Sequence, residues 1–275
     1  MPNLRLDKFL VSCDVCSRSE ARKLVKAKRI KINDSPAKAP DQKIDTEKDR
    51  VFFDGKLLDY REFHYYMLNK PAGFITATED TRQETVMDLL PDRRRKNLSP
   101  VGRLDKDTEG LLLITDDGQL NHRLLAPGFH VRKTYLAGLR KTVSEEDVQK
   151  FRDGLDIGEK ALTAPALLQR VESGADCLDS LTPEYLKALP RAAAASPFPS
   201  EISWALVSIT EGKFHQIKRM FEAVDNEVLY LKRMSMGSLL LDPELKPGQW
   251  RMLTPEEIRE LKKTGGQGDG SSGKF

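Results

Sequence analysis

The stretch Pro100–Thr115 reads PVGRLDKDTEGLLLIT and contains two glycines, an arginine and three carboxylates ahead of an apolar run. The run, Leu111–Ile114, is short, and turn residues follow it at once. Such a run is typical of a buried strand and not of a helix. The strand would hold the loop before it rigidly, and Asp105 is our candidate for the residue that does chemistry. The local pattern also fits a polar turn whose Asp side chains bond their own backbone.

The composition is that of a globular chain with a mild positive charge. Of 275 residues 39% are hydrophobic and 32% are charged, and the net charge is +3. A nucleic-acid surface would therefore have to come from local clustering of basic residues.

The cysteines and the hydropathy point to a cytoplasmic protein that does not associate with membranes. An odd, sparse set of Cys13, Cys16 and Cys177 argues against a disulfide framework. Cys13 and Cys16 lack the second pair or nearby histidine that a metal site needs. No stretch approaches the roughly 20 apolar residues of a membrane span, and no apolar signal segment is visible.

Residues 1–60 are predicted to form a separate module. Its first helix is indicated by apolar residues spaced as one helix face: Leu6, Phe9, Leu10 and Cys13. Ser17 and Glu20 form a capping box, so a second helix should begin near Arg18. Strands are predicted at 29–33 and 51–53.

Basic residues concentrate on the second helix and the turn after it. Residues 17–31 contain seven basic side chains and one acidic side chain. The seven are Arg18, Arg22, Lys23, Lys26, Lys28, Arg29 and Lys31. Residues 18, 22, 26 and 29 share one face. This clustering favours a phosphate-binding face, because each neutralised phosphate releases counterions; an ordinary solvated helix surface is the alternative.

This module resembles the S4 RNA-binding domain. The resemblance rests on three segments, Arg5–Leu10, Ser17–Val25 and Arg29–Asn33. The family usually has glycine where this chain has Lys28 and Asp34. Both positions lie in predicted turns, where we expect the substitutions to be tolerated at some cost.

Residues 61–263 are predicted to form an α+β domain, with a mainly antiparallel mixed sheet and flanking helices. Tyr65–Thr76 reads as strand, turn and strand. Lys70 and Asn69 are predicted at the turn, where they could contact a ligand or an RNA phosphate. The other predicted strands are 133–139, 166–171, 203–209, 228–234 and 239–241. The predicted helices are 85–90, 119–125, 144–154, the segment after 210–215, and 254–263.

Three segments have a composition that sets them apart. Residues 172–200 are rich in Ala and Pro and read as an insertion. Residues 264–275 are rich in Gly and Ser and are predicted to be disordered. Residues 92–96 are predicted to form a basic surface loop.

The sequence contains no motif for a phosphate-binding loop, a dinucleotide, a serine nucleophile or a metal. The four histidines, His64, His122, His130 and His215, share no metal-ligand spacing. An enzyme here would work with side chains alone: an Asp that can act as a nucleophile, a cation that keeps it ionised, and an aromatic residue such as Tyr135 that stacks on a base.

Three blocks in order, together with Lys133–Tyr135, resemble the RsuA-type rRNA pseudouridine synthases over roughly residues 4–262. The blocks are Met67–Gly73, Gly102–Leu111 and Glu211–Met220. The resemblance implies isomerisation of a uridine in folded RNA: the base is detached, rotated and rejoined through carbon. No metal or organic cofactor is implied.

The resemblance also implies roles for individual residues. The catalytic aspartate falls on Asp105, the active-site tyrosine on Tyr135, and the basic partner of the aspartate on Lys218. Arg103 and Arg219 would help to hold the flipped nucleotide or its phosphates. His215 is assigned a structural role in its turn, and Asp107 and Thr108 a turn-bonding role. The target base must leave its stack to reach Asp105.

Two other interpretations stay open. One is a ribosome-assembly factor that binds RNA without catalysis, and the other is a nuclease that uses Asp105 and Asp107 with a metal. For the enzyme, the expected substrate is small-subunit rRNA, with large-subunit rRNA as the alternative. We expect a monomer that acts on a pre-ribosomal particle.

Overall fold

The computed structural model describes residues 3–13, 15–58, 60–91, 97–171 and 202–264. The chain forms two compact units, residues 1–63 and 64–275. The expectations for Cys177, the basic loop 92–96, the insertion 172–200 and the tail from residue 265 onward lie outside the described residues.

In the N-terminal unit, helices α1 (Leu6–Ser12) and α2 (Arg18–Lys26) share one core with the strands. The strands are β1 (Asn3–Arg5), β2 (Ile30–Ile32), β3 (Ser35–Pro36), β4 (Lys43–Asp45), β5 (Val51–Phe53) and β6 (Lys56–Leu57). They form an antiparallel sheet in the order β3-β2-β5-β6 and a β1–β4 pair. The predicted capping box is present, since the Glu20 backbone N–H donates to Ser17 Oγ and the Ser17 N–H donates to Glu20 Oε2.

One of the two turn expectations in this unit needs correction. Lys28 has a left-handed backbone with φ of 56°, as expected for a glycine position. In the turn after β2 the left-handed residue is Asn33, with φ of 54°, and not Asp34. Asparagine adopts this conformation more easily than most residues, so Asp34 does not carry the cost that we assigned to it.

The second unit is built on a nine-stranded sheet, which confirms the α+β class. The strands are β7 (Tyr65–Lys70), β8 (Ser99–Pro100), β9 (Glu109–Thr115), β10 (Lys133–Leu139), β11 (Leu167–Val171), β12 (Ser203–Ile209), β13 (Val228–Met236), β14 (Leu239–Leu240) and β15 (Trp250–Met252). Their order is β11-β12-β10-β13-β9-β7-β15, with β8 on β9 and β14 on β13. Only β13 and β9 run parallel among these pairs.

Four α-helices accompany the described part of this sheet. They are α3 (Gly118–Leu125), α4 (Glu145–Asp153), α5 (Gln216–Glu222) and α6 (Pro255–Lys263). Short 3-10 helices cover Val86–Leu89 and Pro127–Phe129. No helix among the described residues is long and apolar enough to cross a membrane.

Of the two strands predicted within Tyr65–Thr76, the first is present and the second is not. The first is β7, but after the turn Ile75 makes only an isolated bridge to Thr85. Both edges of β7 are already paired, with β9 and β15, so the second strand has no free edge to join. Thr76 instead bonds to the backbone of Leu104, next to the Asp105 loop.

Candidate active site

An open cavity of about 490 Å³ lies in the second unit. Its walls come from the segment 102–108, from β10 and β13, and from the segment 209–218. The cavity brings together most of the residues singled out from the sequence, and the titratable or aromatic ones are Arg103, Asp105, Lys133, Tyr135, His215, Lys218 and Arg233.

The carboxylate of Asp105 lies between two basic side chains. Oδ2 is 3.5 Å from Nζ of Lys218, and Oδ1 is 3.5 Å from Nε2 of His215. The side chain of Asp105 is 29% exposed to solvent. Both separations are longer than ordinary hydrogen bonds, so the carboxylate is electrostatically held and still open to a substrate.

The loop that carries Asp105 is held in place by hydrogen bonds from Lys70. This ammonium is fully buried and donates to the carbonyl oxygens of Pro71, Lys106 and Thr108, at 3.0, 3.2 and 2.8 Å. Burial lowers the pKa of Lys70 to about 8, although the negative charges of nearby carboxylates act to raise it. The expectation that Lys70 contacts RNA is therefore wrong, because the side chain is buried and its N–H groups donate to carbonyl oxygens inside the domain.

Backbone bonds complete the loop. The N–H of Gly73 donates to Lys106 O, and the N–H of Thr108 donates to Asp105 O. Gly110 follows, where β9 meets β13, with φ of 97°. A Cβ there would lie 2.3 Å from the carbonyl oxygen of Arg233. A side chain at residue 110 would force the two strands apart at the base of the loop.

Asp107 has a role in addition to the one predicted. Its two oxygens accept from Nζ of Lys218 at 2.7 and 2.8 Å. Burial acts to raise the pKa of Asp107, but the hydrogen bond and charge of Lys218 hold it below its usual value. A hydrogen bond from its own backbone N–H acts in the same direction on the pKa of Asp107, so a local bond accompanies the ion pair. Thr108 Oγ1 is buried and has no partner among the described residues, so Thr108 does not bond the turn as we expected.

Lys218 and His215 are placed by the turn that precedes α5. Gln216 Nε2 donates to Glu211, and Gln216 Oε1 accepts from the N–H of Lys213. His215 has a left-handed backbone with φ of 48°. Its ring lies in the turn as expected, but it also reaches Asp105, a contact that the sequence analysis did not assign.

Tyr135 lies on β10 and is 7% exposed. It belongs to the hydrophobic core and also lines the cavity that contains Asp105. The neighbouring Thr134 bonds to Ser208. Tyr135 therefore packs on the hydrophobic core on one side and faces the cavity on the other. An aromatic residue that stacks on a nucleobase needs this arrangement.

The two arginines predicted to hold the nucleotide differ. Arg103 is exposed and lines the cavity. Arg219 does not line it; its guanidinium donates to Glu159, to the carbonyl oxygen of Phe214 and to that of Ile157. Arg219 thus ties α5 to the segment before it, and its assignment to RNA or nucleotide binding is wrong.

Lys133 and Arg233 are cavity residues to which the sequence analysis gave no role. Lys133 precedes Tyr135 by two residues on the same strand, so both side chains point to one face. That spacing was a usable signal. Arg233 could be found only from the pairing of β13 with β10, which places it opposite Tyr135.

The basic residues predicted on the N-terminal module are all exposed: Arg18, Arg22, Lys23, Lys26 and Arg29. Arg29 forms a two-point ion pair with Asp54 and lies 4.8 Å over the ring of Phe53. The α2 residues have no ion pair with another described residue. Their charge is available to a partner.

Comparison with known families adds two matches. Residues 64–223 match the family model described as RNA pseudouridylate synthase, and residues 4–51 match that of the S4 domain.

Individual relatives align over nearly the full chain. An uncharacterized RNA pseudouridine synthase, YtzG, of Bacillus subtilis is 44% identical, covering 94% of this chain and 98% of its own. The ribosomal small subunit pseudouridine synthase A of Yersinia pestis is 38% identical, with 94% and 98% covered. The enzyme of that name from Escherichia coli is 34% identical, with 94% and 100% covered. A crystal structure of a pseudouridylate synthase superimposes with a TM-score of 0.59 at 34% identity, covering 94% of this chain and 99% of the other.

Proposed function

The chain belongs to the RNA pseudouridylate synthase family, and we propose that it converts one or more uridines of small-subunit rRNA to pseudouridine. The observation that carries the proposal is the cavity in which Asp105, Tyr135 and Lys218 meet. Segments far apart in the chain supply these three residues, and the resemblance to RsuA-type enzymes assigns roles to the same three.

Asp105 would act at the glycosidic bond of a uridine that has left its stack. Lys218 and His215 orient its carboxylate from either side, and Tyr135 supports the base. Preorganised charge of this kind lowers a barrier without reorganisation during the reaction. Arg103, which is exposed and lines the cavity, would meet the phosphates of the flipped nucleotide.

The S4 domain would supply affinity for the RNA. The exposed cations of α2 can neutralise phosphates without loss of internal contacts, and such contacts position a protein without reading bases. We propose that the protein acts as a monomer in the cytoplasm, on rRNA within a pre-ribosomal particle.

The small subunit is proposed because relatives that align over 94% of this chain carry that substrate in their names. Mapping pseudouridines in rRNA from a strain that lacks the gene tests this. Loss of a small-subunit site is expected, and loss confined to large-subunit rRNA would contradict the assignment.

The reaction itself is tested with rRNA carrying tritium at carbon 5 of uridine, because rejoining through that carbon releases the label. Asp105→Asn keeps the shape and removes the charge, and we expect a loss of about 10⁴-fold, the upper range for a group that acts in the chemical step. Unchanged thermal stability of the variant is the control. Retained tritium release would contradict the role of Asp105.

The structure also bears on the two alternatives. A factor that only binds RNA would function equally well with Asp105→Asn. For the metal-dependent nuclease, the position between Asp105 and Asp107 is already filled by the ammonium of Lys218, at 3.5 and 2.7 Å. That arrangement favours the isomerase.

A further inference from the structure

Arg233 is a buried guanidinium with unused hydrogen-bonding capacity. It is 1% exposed, and its Nε donates to the carbonyl oxygen of Leu111 at 2.7 Å. Its Nη2 has no acceptor among the described residues. A buried donor without a partner costs free energy, and this one belongs to a residue that lines the cavity.

Lys133 is a second buried cation beside it. Lys133 is 9% exposed, and Nζ donates to the carbonyl oxygen of Val131 at 3.0 Å. No carboxylate pairs with it among the described residues. Burial, and then the charge of Arg233, lower the pKa of Lys133 to about 8, so the ammonium is still charged at neutral pH.

The two cations flank Tyr135. Lys133 shares its face of β10, and Arg233 lies opposite it across the β10–β13 pair. Unpaired buried charge is unfavourable unless an anion completes it. Within the described part of the chain, neither cation has an anionic partner on the face where the base would stack.

We propose that Lys133 and Arg233 bind the carbonyl oxygens of the uracil ring while it is detached from the ribose. The inference rests on the proposed function. In the isomerisation the bond between C1′ and N1 breaks and its electron pair leaves with the base, which becomes an anion with charge spread over its two oxygens. C1′ is left electron-deficient beside the carboxylate of Asp105 until the ring turns and C5 bonds to it. The proton lost from C5 is balanced by a proton taken up at N1, so the product is an isomer of the substrate and no oxidant or reductant is needed.

The position of the cations favours the base over a phosphate as their partner. Lys133 and Arg233 are at least nine-tenths buried beside Tyr135, whereas Arg103 is exposed and can meet phosphate in water. Donors aimed at charge that develops during a reaction are most effective where water is excluded.

The test is Lys133→Met, which keeps the length of the side chain and removes the charge. Tritium release from labelled rRNA under single-turnover conditions should slow about 100-fold, as for loss of one donor to a developing oxyanion. The Kd for the rRNA should stay within about twofold of wild type, because no phosphate contact is lost. Tm should stay close to that of wild type, because removal of a buried charge offsets loss of the donor to the Val131 carbonyl oxygen.

Two further variants serve as controls for this test. Lys133→Gln retains a donor for Val131 but lacks the charge, so it should show the same slow step even if Lys133→Met folds poorly. Lys232→Met is the matched control, since Lys232 is a partly buried lysine next to Arg233 that faces Glu109 and does not line the cavity. It should release tritium at the wild-type rate.

The other outcomes are distinct. A wild-type rate in both Lys133 variants would overturn the inference, as would a raised Kd with an unchanged single-turnover rate, which would make Lys133 a phosphate contact. Failure of the wild-type protein to release tritium at all would instead reject the proposed function.

Discussion

The two units use the same basic residue types in opposite ways. On α2 the cations are exposed and have no ion pair with another described residue, whereas Lys70, Lys133 and Arg233 of the second unit are at least nine-tenths buried. Exposed cations cost the fold little and are strongly screened by salt. Buried cations are expensive, and each here donates to backbone carbonyl oxygens. Burial therefore separates cations that attract RNA from those that build the reaction site.

The sharpest test of this contrast is Lys70→Met. Three carbonyl groups around the Asp105 loop would lose this donor. Lys106 O would keep the N–H of Gly73, whereas loss of the donor to Pro71 O and Thr108 O costs about 1–3 kcal/mol for each group left unsatisfied. We expect a clear fall in the free energy of unfolding and about a 100-fold loss of tritium release, because a small displacement of Asp105 is enough for such a loss.

The exposed counterpart is Lys23→Met, which should leave the free energy of unfolding unchanged and, at saturating rRNA, the rate of tritium release as well. Urea unfolding and the tritium assay measure the pair. A Lys70→Met protein as stable and active as wild type would show that the buried ammonium does not hold the loop.

A smaller effect is expected from the exposed set. The triple variant Arg18→Gln, Arg22→Gln, Lys26→Gln removes up to three phosphate contacts, so the plot of log Kd against log salt should be less steep by about 2–3. The catalytic rate at saturating RNA should not change.

Arg29→Gln serves as the control, because Asp54 already neutralises that arginine, and its salt slope should stay close to wild type. Filter binding at several salt concentrations gives the slopes. An unaltered slope in the triple variant would remove α2 from the RNA interface.

The smallest effect concerns Lys218, which is intermediate in exposure between the two sets. Asp107→Asn breaks its closest ion pair, but Asp107 is 72% exposed, and exposed ion pairs contribute little. Tritium release should stay within about fivefold of wild type. A loss as large as that of Asp105→Asn would mean that both carboxylates are required and would revive the metal-dependent alternative.

Local pattern was enough to predict much of the fold. The apolar run Leu111–Ile114 is a buried strand, and the capping box at Ser17 begins a helix, because both features depend on neighbours in the sequence. The location of Asp105 in the loop before such a strand could also be predicted from the sequence. The hairpin at 65–76 failed because strand pairing, which local pattern does not contain, had already used both edges of β7.

The errors in the site have one physical origin. Lys70 and Arg219 were assigned to RNA because basic residues are usually exposed. Lys70 instead donates to the carbonyl oxygens of Lys106 and Thr108, and Arg219 to that of Ile157, all far away in the sequence. Arg233 went unnoticed for the same reason, because its contact with Leu111 joins residues 122 positions apart. Only the register of the sheet reveals it.

The parallel pairing of β9 with β13 has a consequence for synthesis of the protein. A ribosome makes β9, and the Asp105 loop before it, well before β13 emerges, and domains generally fold as units during synthesis. Until then, β9 lacks the neighbour that closes against Gly110, and the cavity lacks Arg233. The site is therefore assembled only after β13 has been translated, and a nascent chain that stops before β13 has the Asp105 loop but not the complete cavity.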